Sequence, residues 1–131
     1  MIPLHVVSSY SLAFGVHGPG RWVRHFRDRG TPAFALTDFE NLYGLHPFLE
    51  ACAEAGLRPI VGAGLGTPGG QLLALCATAQ GFGHLCEWIT AAKKAPLTTA
   101  QTIARIRGAG SDLFCVVFDT DLLQALAPLF P

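Results

Sequence analysis

Pro3-Leu4-His5-Val6-Val7-Ser8-Ser9-Tyr10-Ser11-Leu12-Ala13-Phe14-Gly15 is the stretch on which the reading of this chain turns. Leu4–Val7 is a short apolar run and predicts a first strand. On a strand, side chains at i, i+2 and i+4 share one face. Pro3, His5 and Val7 are therefore expected to point together, with one imidazole among them.

Working outward, strand-like apolar runs alternate with helix-like amphipathic ones, the pattern of an α/β chain with mostly parallel strands. Pro19 and Gly20 break the chain, and Trp22, Val23 and Phe26 then recur at helical spacing until Gly30. Ala33–Thr37 predicts a second strand, continuously apolar as expected when both faces are covered. A helix over 44–55 carries Leu45, Phe48, Leu49 and Cys52 on one side, with Gly56 as its stop. Pro59–Ala63 and Leu72–Ala77 predict further strands around the turn Gly66-Thr-Pro-Gly-Gly70. Gly83–Ala92 predicts a helix with Leu85, Trp88 and Ile89 inward, and Thr98 or Thr99 starts another that runs to about Arg107. Leu113–Phe118 is the fifth predicted strand, and Asp119 or Thr120 caps a last helix toward Leu126. Lys93-Lys-Ala-Pro96 is too short to divide domains, so residues 1–131 read as one domain.

The totals narrow the classes. With nine Lys+Arg against nine Asp+Glu the formal net charge is zero. Charged residues make up 14%, well under the ~25% of an average soluble domain, while 50% of the chain is hydrophobic. That balance suggests a chain with surface covered by other protein. No apolar run reaches the ~18 residues of a spanning helix, and no signal peptide is visible. Cys52, Cys76, Cys86 and Cys115 form no C-x-x-C pair and read as free thiols of a reducing cytoplasm. His17, His25, His46 and His84 are scattered without ligand spacing, and His25 and His46 are expected to face solvent. Gly62-Ala-Gly-Leu-Gly66 lacks the order of a dinucleotide fingerprint. Arg21, Arg24, Arg27 and Arg29 cluster with His25. Arg21 and Arg24 are the candidate phosphate contacts, weak ones against a neutral total.

Three segments together carry a family resemblance. Residues 3–15, Ala33-Phe-Ala-Leu-Thr-Asp-Phe-Glu-Asn-Leu-Tyr-Gly44 and Arg58-Pro-Ile-Val-Gly-Ala-Gly64 resemble the motifs of the PHP (polymerase and histidinol phosphatase) domain. That family writes them H-x-H-x-H-S-x-Y-S-x-x-D-G, A-L-T-D-H-x-N-L-Y-G and K/R-P-I-x-G-x-E. The resemblance is nearest to the PHP domains that open bacterial DNA polymerase III alpha subunits, replicative or error-prone. It is weaker over residues 71–92. It implies a distorted (β/α) barrel, here partial because five strands do not close one, and so an N-terminal part of a longer polymerase chain.

The same resemblance implies that the metal chemistry is lost. The family's ligand positions fall on Pro3, His5 and Val7, then on Phe14, Phe39 and Gly64. Only His5 and Asp38 remain as remnant ligand positions. A catalytic divalent site needs about three protein ligands and an open position, and paired-metal hydrolysis needs more. No catalytic residue, metal or cofactor is therefore assigned. His5 is expected as a core histidine bonded to a carbonyl, and Asp38 as a carboxylate bonding a helix start or a loop amide. Val7, Phe14 and Phe39 are expected to fill the vacated space as buried side chains.

The expectation that follows is a catalytically degenerate PHP domain with a scaffolding role in a DNA-directed DNA polymerase. Nucleotidyl transfer, in replication or repair, would lie elsewhere in the parent chain. Its partners would be the rest of the polymerase or other subunits, with DNA reached only through the parent. The alternative is an active metal-dependent phosphoesterase of the stand-alone PHP type. The apolar C-terminal region, Leu113–Phe118 with Leu122, Leu126, Leu129 and Phe130, is expected to be covered by another copy in a homo-oligomer.

Overall fold

The structure is a computed structural model and describes residues 1–129, so Phe130 lies outside it. The chain divides into two compact units, residues 1–63 and residues from 64 onward. The class is α/β, as expected. The strands are β1 (Ala33–Leu36), β2 (Arg58–Thr67), β3 (Gly70–Cys76) and β4 (Leu113–Val117), in the order β1-β2-β3-β4. The helices are α1 (Pro19–Arg27), α2 (Leu45–Ala55), α3 (Ala79–Lys94), α4 (Thr99–Ala109) and α5 (Thr120–Leu126). Among the described residues, no helix is long and apolar enough to cross a membrane.

In the first unit β1 pairs in parallel with β2, Ala33 opposite Arg58 and Leu36 opposite Val61. All four residues of β1 are buried, the burial expected of a strand covered on both faces. α1 and α2 pack on each other and supply Val23, Phe48 and Cys52 to a core shared with Val6, Phe34, Leu36 and Leu57. Phe34 and Phe48 meet nearly edge-on at 5.0 Å, and burying each ring is worth roughly 1.5–3 kcal/mol. α2 stops at Gly56, whose φ of 69° is the left-handed conformation glycine adopts at no steric cost. Leu49, expected inward, lies on the exposed side of α2.

The first predicted strand is not one. Only Val6 bridges Leu36, in parallel. Ala35 donates to the Pro3 carbonyl at 2.9 Å and Thr37 to the Val6 carbonyl at 2.8 Å. One residue, Leu36, thus separates the two donors while two, Leu4 and His5, separate the two acceptors, a bulge-like slip. Its consequence is that Leu4 and His5 are both exposed while Val6 and Ser8 are buried. The slip breaks the alternation that was to hold Pro3, His5 and Val7 on one face.

In the second unit β3 and β4 are antiparallel, Leu72 opposite Val117 and Cys76 opposite Leu113. The strand pairings are therefore mixed in direction rather than mostly parallel. α3 buries Leu85, Trp88 and Ile89, as its spacing predicted. α4 begins at a reciprocal capping box, Thr98 with Gln101. α5 is capped by Asp119. Leu113, Leu122 and Leu126 are buried, whereas Phe114 and Phe118 are exposed. All four cysteines are free thiols. Burial pushes the Cys52, Cys76 and Cys115 thiols up to about 11.

Candidate functional site

Of the two positions singled out in the sequence, Asp38 lies at the end of β1 and His5 in the incoming segment 3–17 that folds beside it. Asp38 follows Thr37 just past the strand and is buried, as are Ser8 and Ser11. The Asp38 carboxylate accepts from the Ser8 main-chain N–H and the Ser11 hydroxyl on Oδ1, each at 2.7 Å. Its Oδ2 accepts from the Ser8 hydroxyl, also at 2.7 Å. Both oxygens are thus held by short charge-assisted bonds. Ser11 Oγ in turn accepts from the Phe39 N–H at 2.9 Å. The sequence expectation for Asp38, a carboxylate on a loop amide, matches this geometry.

Close packing fixes the loop around the carboxylate. A side chain at Gly15 would place its Cβ 1.8 Å from the Ser8 carbonyl oxygen, so only glycine fits there. Asn41 donates to the Tyr10 carbonyl at 3.2 Å and the Phe39 carbonyl at 3.0 Å, and its own side chain accepts from the Tyr43 N–H. Trp22 of α1 donates its indole N–H to the Val7 carbonyl at 3.0 Å. The Ser, Tyr and Gly of the first segment and the Asn-Leu-Tyr-Gly of the second are therefore the parts of one loop clasp.

His5 is not a core histidine. It is exposed, with Nδ1 2.9 Å from the Thr37 hydroxyl. Phe14 and Phe39 do not fill a hole. Phe14 is 75% exposed and Phe39 38%, their rings tilted at 6.2 Å from each other on the surface, and Val7 is half-buried. The physical reason is the clasp: the serines and Asp38 take the inside of the loop, and the phenylalanines are left on its outside. A metal fits this donor set poorly. Both Asp38 oxygens accept from protein donors, and no group of three His, Cys, Asp or Glu residues is placed to hold an ion among the described residues.

The other candidates disperse. Arg21 and Arg24 are exposed on α1. Arg27 pairs with Asp28 at 2.8 Å, and Arg29, beyond the end of the helix, lies 2.9 Å from His25 Nδ1. His25, expected in solvent, is half-buried edge-on to Trp22 and Phe26. His46 is exposed and 3.2 Å from Glu50. Gly62–Gly66 lies within β2 and cradles no loop.

Sequence reasoning missed a second carboxylate clasp, in the second unit. Asp119 Oδ2 accepts from the Thr67 hydroxyl at 2.6 Å and the Gly69 N–H at 3.0 Å. Its Oδ1 accepts from the Asp121 and Leu122 N–H groups at 3.0 Å each. The Thr67 hydroxyl first, then the Leu122 amide, hold its carboxyl below the usual carboxylate range, with Gly69 and Asp121 adding to them and burial opposing. The helix-cap half was legible as an Asp before an apolar run; the reach back to the Thr67 turn was not.

The sequence profile of the PHP domain matches residues 3–121. The chain is 40% identical over 91 residues to an error-prone DNA polymerase of Corynebacterium efficiens, covering 70% of this chain and 8% of that one. It is 34% identical over 100 residues to the DNA polymerase III subunit alpha of Chlamydia pneumoniae, covering 65% of this chain and 8% of that one. It thus spans less than a tenth of either relative. Among solved structures, an amidohydrolase from Chromobacterium violaceum superposes with a TM-score of 0.58 at 22% identity, over 84% of this chain and 37% of that one. That likeness is one of fold.

Proposed function

The chain belongs to the PHP domain family, and on that premise we propose that it is the PHP domain of a bacterial DNA polymerase III alpha-type or error-prone polymerase, kept for scaffolding and not for metal-dependent hydrolysis. The observation that carries this reading is the bonding of Asp38. A carboxylate that serves an ion must present an oxygen to it, whereas donors from Ser8 and Ser11 here take three of the roughly four acceptor sites of Asp38. The exposed apolar rings of Phe14 and Phe39 stand where the family writes Asp and His, and neither can ligate.

In this role the loop clasp serves as a joint that fixes the chain entry against β1. Its partners are the remainder of a polymerase chain or other replication or repair subunits, in the cytoplasm. DNA is met through that parent, with Arg21 and Arg24 as the surface cations of this segment nearest to such a use. Template-directed nucleotidyl transfer would belong to other parts of the parent.

Elemental analysis of protein purified without added metal tests the reading. The expected result is no stoichiometric zinc, manganese or iron, no hydrolysis of a generic phosphodiester, and a melting temperature unchanged by chelators. Stoichiometric metal that disappears on replacing His5 or Asp38 would restore the alternative, a working phosphoesterase.

A further inference from the structure

The solvent side of α1 carries an inference that goes beyond the proposed function, in which DNA is met only through the parent chain. The whole chain is neutral, yet residues 21–29 hold four of its nine basic residues, Arg21, Arg24, Arg27 and Arg29, against one acid, Asp28. Arg27 is spent on Asp28 at 2.8 Å. Among the described residues Arg21, Arg24 and Arg29 pair with no carboxylate, and all three are exposed. The rest of the chain holds five basic residues against eight acidic ones, so the positive excess is concentrated here.

Beside these cations runs a chain of half-buried rings. Trp22 meets His17 at 5.8 Å and His25 at 5.6 Å, both edge-on, and Phe26 at 5.8 Å nearly parallel. The indole N–H of Trp22 donates inward to the Val7 carbonyl at 3.0 Å. Its one polar atom is thereby spent on the fold, and the ring is held in one orientation. Arg29 lies 2.9 Å from His25 Nδ1 and donates to the His25 carbonyl at 3.3 Å, which keeps a guanidinium at the border of the rings. Arg21 stands one turn before His25 on the same helix face.

We propose that this face binds single-stranded nucleic acid, with Arg21, Arg24 and Arg29 on phosphates and an unstacked base against the rings of His17, Trp22 and His25. Unneutralised cations and fixed aromatic rings are the two parts that such a site combines. The charge is complementary to a polyanion, and the rings select among polyanions. A duplex offers its phosphates but keeps its base faces stacked away. A lipid surface asks for exposed apolar side chains, whereas Val23 is buried and Trp22 and Phe26 are half-buried. An acidic peptide would use the cations and leave the rings idle.

Tryptophan emission tests this, because the other tryptophan of the 131-residue chain, Trp88, is 1% exposed and leaves Trp22 as the reporter. Oligo-dT and oligo-U are titrated into the chain. The expected result is quenching by at least one of them, the tighter strand identifying DNA or RNA as the source. Three phosphate contacts give a salt slope of about −2, so affinity should fall roughly fifteenfold from about 50 to about 200 mM salt. Arg21→Gln combined with Arg24→Gln alters exposed, unpaired side chains. It should cost about tenfold or more in affinity at the lower salt and flatten the slope to about −0.7. Inorganic polyphosphate should compete without quenching. The proposal is overturned by no quenching from either strand at the lower salt, by duplex DNA binding as tightly as the strands, or by an affinity that the double variant leaves unchanged. Phosphatidylserine vesicles binding where the strands do not would overturn it as well. None of these outcomes bears on metal content, so this inference and the proposed function fail separately.

Discussion

Asp38 grips Ser8 at both of that residue's donors, the main-chain N–H on one carboxylate oxygen and the hydroxyl on the other, each at 2.7 Å. With the Ser11 hydroxyl added, three donors converge on one buried carboxylate. Hydrogen bonds to a charged group contribute roughly 1.5–3 kcal/mol, and a buried donor left unsatisfied costs about 1–3 kcal/mol. Asp38→Ala is therefore expected to lower stability by about 3 kcal/mol or more, read from the shift of the urea midpoint. Asp38→Asn should lose nearly as much, because its amide end would face donors. A carboxylate held in reserve for an ion would behave the other way, its removal leaving stability unchanged or improved.

Gly15 supports the same grip from behind. An added Cβ would stand 1.8 Å from the Ser8 carbonyl oxygen, a main-chain atom that accepts from the Ser11 N–H and shares its peptide plane with the Ser9 N–H bonded to His17, so it cannot step aside without disturbing both. Gly15→Ala is expected to destabilise by about 2 kcal/mol, within the usual cost of overpacking. In a double-mutant cycle with Asp38→Ala the two losses should be clearly less than additive. Full additivity would separate the glycine from the clasp.

Phe14 and Phe39 give a contrasting prediction. A buried phenylalanine truncated to alanine costs about 3–5 kcal/mol, the value expected had these rings filled the vacated site. On the surface, Phe14→Ala should stay within about 0.5 kcal/mol of the parent. Phe39→Ala, partly covered by its neighbour, should cost about 1 kcal/mol. Thermal melts of the two variants separate the cases at once.

Much of the fold is legible because each element announces itself locally. α4 was legible in Thr98 or Thr99 as a helix start, α5 in Asp119 or Thr120, α3 in Leu85, Trp88 and Ile89, and β1 in an unbroken apolar run. The first strand failed because an extra residue between Pro3 and Val6, matched against Ala35 and Thr37, leaves no mark in composition. That one slip moved His5 to the surface. The motif resemblance singled out Asp38 but not its partners, since Ser8 and Ser11 read as spacing between ligand positions. Burial of Phe14 and Phe39 was inferred from their apolar character and from the family's ligand positions on which they fall. The inside of their loop was already taken by polar groups that satisfy one another.

Asp119 sets the last expectation, through pH. Its folded carboxyl titrates below the ordinary value of 3.8, held there first by the Thr67 hydroxyl and next by the Leu122 amide. A group with a lowered folded pKa contributes stability that is fully present above its unfolded value and is lost as pH falls through the folded one. The contribution of this clasp is thus constant from neutrality down to about pH 5 and declines below pH 4. Asp119→Asn removes the titration and weakens the cap of α5 together with the Thr67 and Gly69 contacts. The variant should be less stable than the parent at pH 7, and the gap should shrink as pH falls below 4. Urea midpoints of both proteins at neutral and acid pH measure it, and a gap that stays constant or widens in acid would mean that Asp119 is not the titrating joint of this turn.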